Sequence, residues 1–316
     1  MTDYLDFEKP VATLARSANE LRATDTPEAA AEADRLDTRA AKMLADLYAR
    51  LTPWQRTQVA RHPHRPRFST YRTGLTDDWI PLSGDRAFAD DPAIIGGLAT
   101  IGTRKVVLIG HEKGHDTTSR LMHNFGMGRP EGYRKAIRLM QLAGRFGLPV
   151  VTLVDTAGAF PGIDAEARGQ AEAIARATAA CLALPVPMVA AIVGEGGSGG
   201  AVALAAANRV LMFENAIYSV ISPEGCASIL WRADGSTSNQ AALAAEAMKV
   251  TAQDLLRLGV IDRIVAEPTG GAHRAPGAAT SALKAALGEE LDILSRETPA
   301  ALQAARRRKF LTIGSL

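Results

Sequence analysis

Hydrophobic positions follow two regimes along this chain. Before Ala93 they are scattered; from Ala93 onward they gather into short unbroken runs set between Ala-rich stretches. The runs at 105–110, 150–155, 188–193, 210–213, 217–221 and 261–265 lack strict in–out alternation. They predict strands covered on both faces. Between them, 133–146, 166–184, 200–207 and 243–258 predict helices, with Ile137, Leu139 and Met140 as core positions in the first. Gly147 and Gly259 supply stops, and Pro185 with Pro187 ends the second helix. Strands alternating with helices predict an α/β layered fold.

The first 92 residues differ. Thr26 can cap a helix, Pro27 suits its first position and Glu28 favours its dipole. In 29–51, Ala40, Met43, Leu44, Leu47 and Leu51 form an apolar side that needs cover, from a partner subunit or from the chain itself. Residues 53–92 show little regular pattern and hold five prolines. The expected division is a helical extension and linker, 1–92, and an α/β domain, 93–316, ending in an amphipathic helical tail from Thr280.

Composition narrows the options. Thirty-six Lys and Arg against thirty-four Asp and Glu give a formal charge of +2, no case for a nucleic-acid or polybasic membrane protein. No apolar run nears the ~20 residues of a membrane span, and the first ten residues do not resemble a signal peptide, so a cytoplasmic location is expected. Cys181 and Cys226 lack CxxC spacing and predict reduced, structural thiols. His62-Pro63-His64 has no third ligand at a useful spacing, so no metal is expected.

The densest chemical signal is Gly194-Glu195-Gly196-Gly197-Ser198-Gly199-Gly200, between a strand and an Ala-rich helix. Bare N–H groups at such a helix start form an anion or oxyanion site without a charged side chain. A P-loop would need Gly-Lys-Ser/Thr, which is absent. The segment matches GxGxxG but follows the third strand of the domain, which weakens a dinucleotide reading; close packing alone is another alternative. A second glycine turn, Asp155-Thr156-Ala157-Gly158-Ala159, follows the preceding strand, and two such turns would build one crevice. Asp155 fits a capping role equally well. In Ser222-Pro223-Glu224-Gly225-Cys226, Ser222 can cap a helix; structural roles suit Glu224 and Cys226 better than acid and nucleophile. Ser198 has no visible base and reads as a loop residue.

Six runs then carry a resemblance: Leu5-Asp6-Phe7-Glu8-Lys9-Pro10, Ala60-Arg61-His62-Pro63, Asn124-Phe125-Gly126-Met127 with 130–136, the glycine segment, 218–231, and Gly270-Gly271-Ala272-His273-Arg274. In this order they resemble the alpha subunits of multi-subunit acetyl-CoA carboxylase carboxyltransferases. The resemblance implies a crotonase-like spiral of ββα units with an N-terminal helical extension. It implies an alpha2beta2 heterotetramer whose beta subunit carries a zinc ribbon, and an enzyme active only with that subunit. It implies carboxyl transfer from N-carboxybiotin, borne on the biotin carboxyl carrier protein, to acetyl-CoA, giving malonyl-CoA for fatty acid synthesis. Backbone N–H groups of Gly199 and Gly200 would stabilise the biotin oxyanion, with Gly158, Ala159, Gly196, Gly197 and Ser198 shaping the substrate site. Ala157, Phe160, His115 and a lengthened loop at 234–240 depart from the family pattern. The basic cluster 306–309 could meet CoA phosphates, the carrier or nucleic acid, but reads best as a solvated helix end. A lone hydratase and a non-catalytic scaffold for the beta subunit are the rival readings.

Overall fold

The computed structural model describes residues 4–24, 26–231 and 237–314. The N-terminal part holds α1 (Lys9–Arg22), α2 (Pro27–Tyr48), α3 (Pro53–Ala60) and α4 (Phe68–Leu75). The sheet begins with β1 (Asp78–Pro81), β2 (Ile94–Ile101) and β3 (Arg104–His111). Next come α5 (Thr117–Met122), α6 (Pro130–Phe146), β4 (Val150–Thr156), α7 (Ile163–Ala167), α8 (Gln170–Ala183), β5 (Met188–Gly197) and α9 (Ser198–Ala205). The chain continues through β6 (Arg209–Phe213), β7 (Ile217–Ser219), α10 (Pro223–Leu230), α11 (Thr237–Ala247), α12 (Ala252–Arg257) and β8 (Arg263–Val265). It closes with α13 (Pro276–Leu294) and α14 (Pro299–Thr312).

The strands form one mixed sheet in the order β1-β2-β3-β4-β5-β6-β8. β1–β2 and β2–β3 are antiparallel and the rest parallel. The hairpin β2–β3 followed by α6 is a ββα unit, with α6 packed on β2, β3 and α8. β5 is the branching strand. Its first half pairs with β6, and its glycine-rich second half pairs with β7 through Glu195, Gly196 and Gly197. The strand therefore runs past Val193, where the apolar run ends, because β7 supplies partners for the glycine main chain.

Other expectations need correction. The segment 53–92 is not irregular: it contains α3, α4 and β1. Thr52 and Gln55 form a capping box around Pro53, which starts α3. β2 escapes a reading by apolar runs because Gly96-Gly97 interrupts it; a Cβ on Gly97 would overlap the carbonyl oxygen of Ile80 on β1. The single helix expected over 166–184 breaks into α7 and α8 at Gly169, whose φ is +81°. The one expected over 243–258 breaks into α11 and α12, with Lys249 left-handed and Thr251 capping α12. The lengthened loop expected at 234–240 falls partly outside the described residues, which resume with α11.

The extension is held by its own chain. Leu44 and Leu47 of α2 pack with Leu5 and Phe7 against Tyr48, Leu51 and Val59. Glu8, fully buried, accepts from Tyr48 Oη (3.0 Å) and from Arg274 (2.8 Å), while His273 stacks on His62 at 3.7 Å. Positive φ at Gly270 and Gly271 lets the 270–274 loop turn into this contact. Three of the six runs that carry the family resemblance thus meet in one clasp.

The basic cluster is also different from expectation. Arg306 is fully buried and donates to the carbonyls of Cys181, Leu182, Leu184 and Val186 and to Asn208 Oδ1. These carbonyls belong to the end of α8 and the turn after it, where a cation meets the helix dipole. Burial lowers its pKa to about 10. Lys309 pairs with Asp262, so only Arg307 and Arg308 of the cluster are exposed.

Arg306→Ala should lower stability by at least about 3 kcal/mol, since it strips several buried acceptors of their donor. Arg307→Ala should stay within about 0.5 kcal/mol; urea unfolding compares them. A pH dependence follows from His111 at the end of β3. Burial holds its pKa down at about 4, against 6.5 unfolded. The folded imidazole stays neutral while the unfolded one takes a proton, so stability is full above pH 6.5 and falls as pH drops toward 4. At pH 5 the loss is about 2 kcal/mol, and urea midpoints should decline less steeply between pH 7 and 5 in His111→Leu.

Candidate functional site

The carboxyl ends of β4 and β5 meet with the Asp155 carboxylate between them and glycines on the β5 side. Between the pairs Val154↔Ile192 and Thr156↔Gly196, β5 gains two residues over β4, a bulge facing Asp155. Asp155 Oδ1 accepts the N–H of Glu195 at 3.0 Å. A Cβ on Gly194 would stand 2.5 Å from that oxygen. A Cβ on Gly197 would overlap the carbonyl of Ala157, and one on Gly200 would lie 2.7 Å from Gly158 C and 2.9 Å from Ala159 N. The two glycine turns therefore touch main chain to main chain. Gly199 differs: its Cβ would meet the side chain of Ile174, Cγ2 at 3.4 Å and Cδ1 at 3.7 Å.

A cleft of about 720 Å³ opens at this junction. Gly158, Ala159, Ser198 and Gly199 line it, with Phe160, Gln170, Ile174 and Val220. Gly196, Gly197 and Gly200 stand behind the wall, where Gly196 packs on Tyr218. The turn is tied by Thr156 Oγ1, which accepts the Gly158 N–H at 3.1 Å and donates to Gly158 O at 2.7 Å. Ser198 is exposed with φ +51°, a left-handed conformation uncommon for serine. Its bend turns the chain from β5 into α9, whose first N–H groups have no partner within the helix.

Ion pairs hold the floor of the cleft. Arg61 binds Glu195 (2.6 Å) and Glu224 (2.6 Å); Lys113 binds Asp155 (2.7 Å) and reaches Glu195 (3.5 Å); Arg67 reaches Asp155 (3.3 Å). Burial would raise the Asp155 pKa, but Lys113, Arg67 and the Glu195 N–H outweigh it and hold the carboxyl below its usual range. Both carboxylates at the glycine turns, Asp155 and Glu195, are ion-paired, while Glu166 lines the cleft without an ion pair among the described residues. Asp155 caps neither a helix nor its own turn: it accepts the Glu195 amide on β5 and pairs with Lys113 and Arg67.

Sequence reasoning missed Arg61, Arg65, Arg67 and Lys113. A signal was present: three arginines in seven residues broken by Pro63 and Pro66, which bar a helix and let the arginines turn inward. Arg65 is fully buried between Val193 O (2.8 Å) and Glu267 (2.7 Å). Ser222 caps α10, accepting the Gly225 N–H at 3.0 Å, and Glu224 serves as Arg61's second partner. Cys181 is buried, which pushes its thiol up to about 12; Cys226 is half-buried on α10. His115 Nε2 lies 2.9 Å from Ser69 Oγ. Among the described residues no group of three His, Cys, Asp or Glu is placed to hold a metal.

Comparison with known proteins agrees with this architecture. The family "Acetyl co-enzyme A carboxylase carboxyltransferase-like" matches residues 4–314. The acetyl-coenzyme A carboxylase carboxyl transferase subunit alpha of Rhizorhabdus wittichii is 68% identical over 99% of this chain and 100% of that one. Among solved structures, a transcarboxylase 12S superposes with a TM-score of 0.60 at 16% identity, over 75% of this chain and 44% of that one. A subunit of a Pseudomonas malonate decarboxylase heterodimer gives 0.57 at 18%, over 78% and 98%. At these identities the likeness is one of fold, the crotonase-like fold. Sheet, cleft and full-length similarity together place this chain in the acetyl co-enzyme A carboxylase carboxyltransferase-like family, as a subunit of a carboxyltransferase enzyme.

Proposed function

We propose that this chain is the alpha half of an acetyl-CoA carboxylase carboxyltransferase, and that its glycine cleft receives the biotin head group. The partners of this reading are a zinc-ribbon beta subunit in an alpha2beta2 assembly, the biotin carboxyl carrier protein and acetyl-CoA. The product is malonyl-CoA, the entry to fatty acid synthesis. A cytoplasmic site of action fits, and no described helix is long and apolar enough to cross a membrane.

The observation that carries the reading is a helix start at a bare glycine bend, facing a cleft in which Glu195 is already paired with Arg61. Carboxybiotin, when bound, supplies the carboxyl group, and its loss leaves negative charge on the ureido oxygen. The N–H groups of Gly199 and Gly200 donate to that charge where it develops. Ser198 bends the chain at the cleft wall, with Gly199 on the lining and Gly200 directly behind it. Gly158 and Ala159 form the facing wall, and Gly196 and Gly197 let the two turns close without side chains. Asp155 and Glu195, ion-paired with Lys113 and Arg61, brace the turn and leave proton transfer to the substrates. The beta subunit completes the site for the acyl acceptor, so the isolated chain is inactive.

Steric room separates the glycines experimentally. Gly197→Ala should cost about 1–3 kcal/mol of stability, because the methyl meets main chain. Gly199→Val should fold and assemble with the beta subunit, yet reduce carboxyl transfer about 10²–10³-fold by displacing the head group from its donors. Malonyl-CoA decarboxylation with biocytin as acceptor measures this; normal turnover by the assembled Gly199→Val enzyme would refute the assignment.

A further inference from the structure

We propose that a cationic recess beside the cleft binds a phosphate group. The recess measures about 240 Å³ and shares Arg61, Ala157 and Glu195 with the cleft. Arg67, Lys113, Arg120 and Phe125 supply the rest of its working wall. Its size lies below the ~300–1,000 Å³ of pockets for drug-sized ligands. It suits an ion, or one group of a larger molecule.

The donors are in excess of the acceptors. Arg61 is fully engaged by Glu195 and Glu224, and Lys113 by Asp155 and Glu195. Glu112, behind them, accepts the N–H groups of Ser69 and Gly114. Arg67 is 5% exposed, yet its Nε is buried with no acceptor, and its two bonds, to Asp155 Oδ2 and Pro63 O, are both 3.3 Å. Arg120 donates to the same Pro63 oxygen at 3.4 Å, and no carboxylate among the described residues lies within ion-pair distance of it. Such lengths are well beyond the ~2.9 Å of a good N–H···O bond. A buried guanidinium short of acceptors is costly, and an oxyanion in the recess relieves it.

The arrangement favours phosphate over carboxylate. One arginine fork satisfies a planar carboxylate. Here the cations arrive from three separate segments, at 67, 113 and 120, which suits a tetrahedral group with oxygens on every side. The wall is also held under strain: Asn124 and Phe125 are consecutive left-handed residues, at φ +47° and +54°, and this conformation sets Phe125 into the recess. The phosphate has two possible sources, CoA or a free ion.

The test uses the purified full-length chain and equilibrium dialysis with labelled pyrophosphate and inorganic phosphate, in chloride of matched ionic strength. Saturable binding is expected, weakened at least ten-fold in Arg120→Gln and in Arg67→Lys, with the melting temperature of unliganded Arg120→Gln within a few degrees of the parent. Absence of binding above the chloride background overturns the proposal, as does undiminished binding by a folded Arg120→Gln. Competition assigns the source. Displacement by CoA but not by 3′-dephospho-CoA points to the 3′-phosphate, displacement by both to the pyrophosphate, and displacement by neither to a free ion. Only the CoA arms rest on the carboxyltransferase reading; binding of the bare ions succeeds or fails without it.

Discussion

Everything at the working end of this molecule depends on two stretches of main chain lying against each other. Gly194, Gly197 and Gly200 face Asp155, Ala157 and Gly158 with no room for a β-carbon between them. That contact decides where β5 ends, where α9 begins and which way its first amides look. It also explains the two extra residues on β5, which bring the Glu195 amide onto the Asp155 carboxylate. A cleft walled by main chain offers hydrogen-bond donors whose positions are set by the fold rather than by rotamers. Preorganisation of this kind suits a reaction in which charge develops on one oxygen.

Around this junction the charged residues act as masonry. The segment from Arg61 to Arg67 runs across the ends of β4 and β5 and drives three guanidiniums inward. The same segment is gripped on its far side by the stacked His62–His273 pair and, through Arg274, by the N-terminal arm. The extension is thus continuous with the wall of the cleft. Residues that look chemical in the sequence, such as His62, Glu224 and Asp155, hold shape, and the groups proposed for chemistry are amides that no side-chain motif announces.

Strands with unbroken apolar runs were legible in the sequence, because burial on both faces writes itself into composition. β4 and the start of β5 are examples. Both glycine turns were legible too, and their convergence on one cleft followed from their places at neighbouring strand ends. What was hidden depends on partners distant in sequence. The glycine half of β5 is a strand only because β7 pairs with it, and β2 only because β1 and β3 flank it. The burial of Arg306 was invisible for the same reason: the carbonyls that hold it lie more than a hundred residues earlier, at the end of α8. Helix periodicity likewise gave no warning of the breaks at Gly169 and Lys249, where single residues turn the chain.

The Glu8–Arg274 pair spans 266 positions. During synthesis the buried carboxylate at one end of that span has no cation until nearly the whole protein has left the ribosome. At roughly 5–20 residues per second, the interval is about 13–53 s. Through that time α1 and α2 must persist on local helical propensity, their mutual contacts and the small apolar cluster that α2 shares with Leu51 and Val59. The arm, although made early, is then among the last parts to lock.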